Sequence, residues 1–334
     1  MLTIGLVYDL LGTLACAPGD PADADAEFEP EATLVALEAA IARLGHRPVR
    51  IGNPHALLSA AGKGALPELD AALNIAEGFG SRNREAWAPV LLEMAAVPCL
   101  GSDALTLSTC LDKVWAKERL AAARIPVVPG VSIASVGELE KVELSWGYPM
   151  FVKPRWEGTA KGIGPLSKVA DASALAAAVA FVTASYSQPA LVEPFLEGAE
   201  YTVTVVGHAP PRALAVLQRA LERETRIGLH AVERHRSPTG PWAFEVPGHL
   251  DAELERRLAS LGLAAFEALE CRDFARADFR LDAAGEPQFL EINPLPTFAP
   301  DGSFGILAEL EGRPHEALLA DVLGEALRRL EGAR

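Results

Sequence analysis

Apolar and polar positions along the first hundred residues follow a strand-then-helix rhythm. The short apolar run "TIGLVYDLL" predicts a buried strand, and the acidic, proline-bearing "APGDPADADAEFEP" predicts the loop after it. Leu34, Leu37, Ile41 and Leu44 then recur at helical spacing, with Pro30 suited to the first turn and Gly45 placed to stop the helix. "PVRIG" returns to an extended run. A second cycle reads "LNIAEG" as strand, "NREAWAPVLLEMAA" as helix in spite of Pro89, and "VPCLG" as a short return. This alternation predicts a parallel α/β domain over residues 1–100.

The rhythm then changes. "DALTLSTCLDKVWAKERLAAA" is a helical connection, and "IPVVPGVSI", "YPMFVKP" and "LSKVA" are short strands broken by Pro and Gly, a second lobe over residues 101–188. A third lobe, residues 189–334, has longer strands in "ALVEPFLEGAEYTVTVVG", a helix in "DAELERRLASLGLAAFEAL", a hairpin, and a terminal helix in "PHEALLADVLGEALRRLEG". Residues 172–192 carry no charge, but their Ser, Thr, Gln188 and Pro189 favour an ordinary helix over a membrane span. No repeat or low-complexity tract interrupts the pattern.

Composition narrows the function. A chain of 334 residues, 50% of them hydrophobic, can fill two or three modest cores. Its formal charge of −15 argues against nucleic acid as a partner, because such binders display a basic face to the phosphate backbone. An anionic ligand would need a local cluster of cations or a metal ion. Cys16, Cys99, Cys110 and Cys271 form no C-x-x-C pair and read as reduced thiols. The apolar start has no Lys or Arg and contains Asp9, which disfavours a secretion signal, so a cytoplasmic location is expected.

The densest chemistry lies in "RADFRLDAAGEPQFLEIN". Side chains alternate along a strand, so Arg276, Asp278 and Arg280 share one face, and Phe289, Glu291 and Asn293 are expected to share another. A turn centred between Ala284 and Gly285 sets Asp278 opposite Glu291 and Arg276 opposite Asn293, with Cβ atoms about 4.5–5.5 Å apart. Two carboxylates at that separation repel unless a cation lies between them. Two acids and an amide oxygen, with no His or Cys nearby, suit Mg²⁺ rather than zinc. The same alternation also fits a solvated hairpin face.

A phosphate cradle would complete such a metal site. In "FVKPRWEGTAKGIG", Lys153 ends an apolar strand, and Gly158, Gly162 and Gly164 let backbone N–H groups turn toward phosphate oxygens. The spacing is not that of a Walker P-loop. Lys113, opening the helix in "CLDKVWAK", could reach a phosphate or lie on the surface. Glu193, Leu196 and Glu200 in "LVEPFLEGAE" flank a strand-to-strand crossover that could hold a base between apolar walls, or be an exposed connection.

Taken in order, "LDK", "FVKPRWEGTAKGIG", "LVEPFLEGAEYTV", "ARADFR" and "FLEINPLP" resemble the D-alanine–D-alanine ligase branch of the ATP-grasp superfamily, and "LNIAEGF" and "VPCLGSD" resemble its amino-terminal domain. The resemblance implies an α/β fold of three lobes, with ATP between two antiparallel sheets. It implies that Lys113 and Lys153 contact the α and β phosphates, and that Glu193, Leu196 and Glu200 hold adenine and ribose. The loop of Gly158, Thr159 and Gly162 would close over the transferred phosphate. Asp278, Glu291 and Asn293 would bind two Mg²⁺, or Mn²⁺ in their place. Arg276, with N–H groups near Gly158, would stabilise an oxyanion. The implied reaction joins a small-molecule carboxylate, such as an amino acid, to an amine through an acyl phosphate, in a homodimeric enzyme.

Three segments depart from the family pattern. The first substrate's amino group is received in the family by a glutamate of a glycine-rich loop; here Glu27, Glu29 and Glu31 are the candidates. The mobile loop's Lys and Tyr are replaced in "RIGLHAVERHRSP", where Arg234 and His235 stand nearest, within a segment that also fits a solvated basic lid. Thr297 stands where a glycine usually follows the last metal ligand, so altered substrate specificity is expected, with Ser303 a candidate for the acceptor carboxylate. The competing readings are a phosphotransferase on the same scaffold and a nucleotide-binding protein without turnover.

Overall fold

The computed structural model describes residues 1–229 and 243–332. In the amino-terminal sheet, β1 (Thr3–Tyr8), β2 (Arg47–Gly52), β3 (Ala71–Ile75) and β4 (Cys99–Leu100) run parallel in the order β2-β1-β3-β4. A parallel sheet needs both faces covered. Ile4, Leu6 and Leu73 pack on one side with Leu34 and Leu37 of α1 (Glu31–Arg43); Val7 and Ala72 pack on the other with Leu57 and Leu92. Pro30 precedes α1 in extended backbone, and Gly45 follows it at φ +78°. Leu57 belongs to α2 (Pro54–Gly62), which is not among the predicted elements. Asn53 caps it, accepting from the Ala56 N–H at 3.0 Å, but apart from Pro54 only Leu57 is buried, a stripe too thin to show as periodicity. The next predicted helix begins as a 3₁₀ turn, Arg84–Ala86, and continues as α3 (Trp87–Met94).

Two short helices, α4 (Ala104–Leu111) and α5 (Lys113–Ala122), lead to a second, antiparallel sheet. Its strands β5 (Val131–Ile133), β6 (Met150–Pro154), β7 (Lys168–Val169) and β8 (Ala190–Pro194) lie in the order β5-β8-β6-β7. The period of two along β6 sends Met150 and Val152 under α6 (Ala172–Tyr186), into a core with Val179 and Val182, and turns Phe151 and Lys153 the other way.

In the third sheet, β9 (Glu200–Val206) pairs with β10 (Arg212–Ala213) and β11 (Leu217–Gln218). Short strands β12 (Leu221–Glu222) and β13 (Phe244–Glu245) pair apart from it. Helix α7 (Ala252–Ala268) covers one face of the sheet. β14 (Phe274–Leu281) lies beside β9, and β15 (Pro287–Asn293) beside β14. Tyr201, Val203, Ala275, Ala277 and Phe279 face the helix, leaving Thr202, Arg276, Asp278 and Arg280 for the opposite side. The chain closes with α8 (Ser303–Leu310) and α9 (His315–Gly332); Leu319 and Leu323 of α9 return to the core shared by α1 and the parallel sheet.

The hairpin holds a correction. Asp278 does pair with Glu291 and Arg276 with Asn293, but Phe279 pairs with Phe289 and Leu281 with Pro287. The turn is therefore centred on Ala284, and Leu290 is an extra residue in a β-bulge. The bulge moves Phe289 off the expected face. It is fully buried on the helix side, edge-to-face with Phe279 at 5.8 Å between ring centroids, while Glu291 keeps the face of Asp278.

Candidate active site

A cavity of about 560 Å³ is lined by both antiparallel sheets, the glycine-rich loop and the amino-terminal loop. Lys153 reaches it from β6, Glu193 from the end of β8, and Glu200 and Thr202 from β9. Arg276, Asp278 and Glu291 reach it from the hairpin, and Thr159 and Leu196 from loops. Phe151 and Phe195, 5.8 Å apart, form an apolar wall together with Ile227.

Charges inside are paired across elements. Lys113, the first residue of α5, is buried; its Nζ meets Glu291 Oε2 at 3.1 Å and donates to the Glu157 carbonyl. It is thus no surface lysine. Arg276 Nη2 donates to Asp278 Oδ2 at 3.1 Å, and Thr202 Oγ1 donates to Asp278 Oδ1 at 2.8 Å. Glu193 is held by two lysines, Lys153 at 3.0 Å and Lys117. Its carboxylate lines the cavity with both ammonium groups engaged on it. Glu200 is paired with Arg219 at 3.2 Å and Arg280 at 3.3 Å.

Burial and neighbouring charge set the protonation states. Burial lowers Lys153 to about 8, with the positive charge of Lys113 adding to the effect and Glu291 opposing it. Lys117 is also held well below the usual lysine range, through burial and the repulsion of Lys153. Burial pushes Glu291 up, but Lys113, Lys153 and Arg276 together outweigh it and hold the group at about 2.

The proposed metal ligands fit a hard dication by their chemistry. Asp278 and Glu291 are opposed carboxylates, each already drawing a cationic side chain to the place where their charges would otherwise repel. Asn293 stands at the end of the same strand, its Oδ1 accepting from the Leu295 N–H at 2.8 Å. Among the described residues no group of three or more His, Cys, Asp or Glu side chains is placed to hold a metal ion.

The glycine-rich loop is tight, with Thr159, Ala160 and Gly162 all at positive φ. A Cβ on Gly162 would stand 2.4 Å from Pro154 Cγ, so glycine is required there. The expected N–H donors have other partners. Gly158 N–H donates to Glu27 Oε1 at 2.6 Å and Gly162 N–H to Asp23 Oδ2 at 2.9 Å. A buried carboxylate must collect donors, and Glu27 also takes Arg84 at 2.8 Å and Lys161 at 3.0 Å. In the unliganded protein the Gly158 N–H is thus held by Glu27, and the Glu27 carboxylate is fully paired within the protein. Glu29 accepts from Thr33 at 2.7 Å and Thr297 at 3.1 Å. Ser303 lines the cavity at the start of α8. Glu31 is exposed and pairs with Arg50. Arg234 and His235 lie outside the described residues.

Lys117, Lys161 and Arg84 were not among the candidates. Lys117 is one helical turn beyond Lys113, a spacing that already set both on one face.

Residues 125–324 match the family model described as the D-ala D-ala ligase C-terminus. A D-alanine–D-alanine ligase A of Chromobacterium violaceum is 30% identical over 277 residues, covering 82% of this chain and 73% of that protein. Among solved structures, a D-alanine–D-alanine ligase of Bacillus anthracis complexed with ATP aligns over 100% of both chains, with a TM-score of 0.70 and 20% identity. A VanG D-Ala:D-Ser ligase of Enterococcus faecalis aligns over 97% of this chain and 99% of that one, with a TM-score of 0.71 and 18% identity.

Proposed function

From the premise that the chain belongs to the D-alanine–D-alanine ligase family, and so to the ATP-grasp superfamily, we propose that it is an ATP-dependent ligase joining a small carboxylate to an amine through an acyl phosphate. One observation carries the reading: Lys153 on one antiparallel sheet and the opposed acids Asp278 and Glu291 on the other line a single cavity.

In this reading Lys113 and Lys153 offset the negative charge of the phosphates, and Phe151, Phe195 and Leu196 wall the base, with Glu200 at the ribose. Mg²⁺ held by Asp278, Glu291 and Asn293 would supply further positive charge to the triphosphate. The substrate carboxylate attacks the γ-phosphorus and ADP leaves. The amine then attacks the acyl carbon, and the tetrahedral intermediate expels inorganic phosphate to leave an amide. Arg276 is the side chain suited to steady its oxyanion, since its Nε is buried without a partner among the described residues. The loop around Thr159 screens the acyl phosphate from water.

We take the substrate pair to differ from two D-alanines. Thr297 adds a side chain where the family pattern has glycine, and its hydroxyl is tied to Glu29. Ser303, at the helix start, remains the candidate for the acceptor carboxylate.

The deciding experiment screens pairs of amino acids with ATP and Mg²⁺, following ADP and identifying products by mass. ADP and an amide in equal amounts, both dependent on the amine, support a ligase. A phosphorylated product that accumulates regardless of the amine makes it a phosphotransferase, and no ADP with any pair refutes turnover.

A further inference from the structure

The glycine-rich loop begins from an anchor that the nucleotide-binding residues do not explain. Asp112, only 2% exposed, is the N-cap of α5, its Oδ1 accepting from Val114 N–H at 3.1 Å and Trp115 N–H at 3.3 Å. The same carboxylate grips the first two residues of the loop. Arg155 donates to it twice, from Nε to Oδ1 and from Nη2 to Oδ2, each at 2.8 Å, and Trp156 Nε1 donates to Oδ2 at 3.0 Å. Arg82 adds a longer contact at 3.5 Å, and its guanidinium lies over the rings of both Trp115, at 4.6 Å, and Trp156, at 5.1 Å. Next in the chain, the Lys113 N–H donates to the Arg155 carbonyl at 3.3 Å. A helix cap needs one oxygen. Here the second oxygen is committed to the loop.

We propose that Asp112 is a positioning residue for the glycine-rich loop, fixing Arg155 and Trp156 beside Lys113 so that the loop shuts out water while the activated carboxylate waits for the amine. The proposal rests on the ligase reading above. The far part of the loop is held by Asp23 and Glu27 of the amino-terminal loop, and its near end is tied to the helix bearing Lys113 by Asp112 together with the Lys113 contacts to the Arg155 and Glu157 carbonyls. A loosened near end admits water to the acyl carbon. Attack there breaks the bond from the acyl carbon to the phosphate oxygen, returning the free acid and inorganic phosphate, so ATP is spent without amide.

Two variants isolate the effect. Asp112→Asn keeps an oxygen for the helix cap but replaces the loop's acceptor with an NH₂ group. Trp156→Phe keeps the aromatic ring and removes the indole donor. With a substrate pair that the wild type couples one to one, the share of ADP formed without amide is expected to rise about tenfold in each, the factor that goes with losing a hydrogen bond to a charged group. ADP and amide that fall together, in the wild-type ratio, overturn the proposal and leave Asp112 as a helix cap. Should the wild type make no amide with any pair, the ligase reading fails instead. The anchor is then decided by the Trp156 fluorescence change on adding ATP and Mg²⁺, taken as wild type minus Trp156→Phe. A change lost in Asp112→Asn supports the anchor, and one retained in full overturns it.

Discussion

Glu291→Gln is the sharpest perturbation of the proposed metal site, because it removes a charge while keeping shape. Glu291 is held ionised, at about 2, by Lys113, Lys153 and Arg276 against the cost of its burial. A glutamine oxygen can still accept from Lys113, now 3.1 Å away, but three cations lose a negative neighbour. Removing one partner of a fully buried pair costs about 3–5 kcal/mol. The Glu291 side chain is 24% exposed and the neutral amide still accepts a hydrogen bond, so about 1–2 kcal/mol of stability is the discounted expectation. Turnover should suffer more. A ligand that offsets developing charge is worth about 10²–10³ in kcat when one donor or charge is lost, which is the loss expected for ADP release at saturating Mg²⁺. Melting by circular dichroism and coupled ADP release, on the same preparation, separate the two effects. A folded variant with wild-type kcat would refute the assignment of Glu291 to the nucleotide's metal.

Other expectations follow from single features. Lys153 is lowered from 10.5 to about 8 in the fold, so between those values the unfolded chain binds the extra proton; stability of the unliganded protein should rise as pH climbs from about 8 toward 10.5, by an increment that Lys153→Met abolishes. The charged lysine is the form that offsets phosphate, so kcat/KM for ATP should fall above about pH 8 in the wild type and hold to higher pH in Lys153→Arg; superimposable profiles would contradict the phosphate role. Gly162→Ala meets Pro154 at 2.4 Å at a φ of +71°, so left-handed strain of about 1–2 kcal/mol and overpacking of about 1–3 kcal/mol should lower Tm by several degrees. Phe289→Ala should cost about 3–5 kcal/mol in denaturant melts and Leu290→Ala much less, with its effect appearing in KM for ATP instead; the reverse order would refute the bulge.

How much of this was legible depended on distance along the chain. The opposition of Asp278 and Glu291 could be read because strand period and a near turn fix it locally. The bulge could not, since Phe289 and Leu290 are both apolar and only the packing of Phe279 selects which one enters the core. Gly162 announced a tight turn, but the partners of the loop's N–H groups are 131 and 139 residues away, in a stretch where Glu27 reads as a candidate for a substrate amine and Asp23 as loop composition. Lys117 was spaced correctly from Lys113. A lysine on a helix reads as solvated until its anion is known, and Glu193 is 76 residues further on.

The same distances bear on how so acidic a chain can take an anion. Against a formal charge of −15, Lys113, Lys117, Lys153 and Arg276 stand in or beside the cavity, and among the described residues their ion-pair partners are Glu193, Asp278 and Glu291. Each of those carboxylates holds a cation in a particular place, at a desolvation cost that keeps Lys153 near its own titration point. A triphosphate entering with its metal would let the lysines exchange carboxylate partners for phosphate oxygens, and free Asp278 and Glu291 for the dication. Recognition is then an exchange of ion pairs within one cavity. Replacing Lys117, which touches only Glu193 among these groups, should accordingly weaken nucleotide binding through Lys153, without removing a phosphate contact of its own.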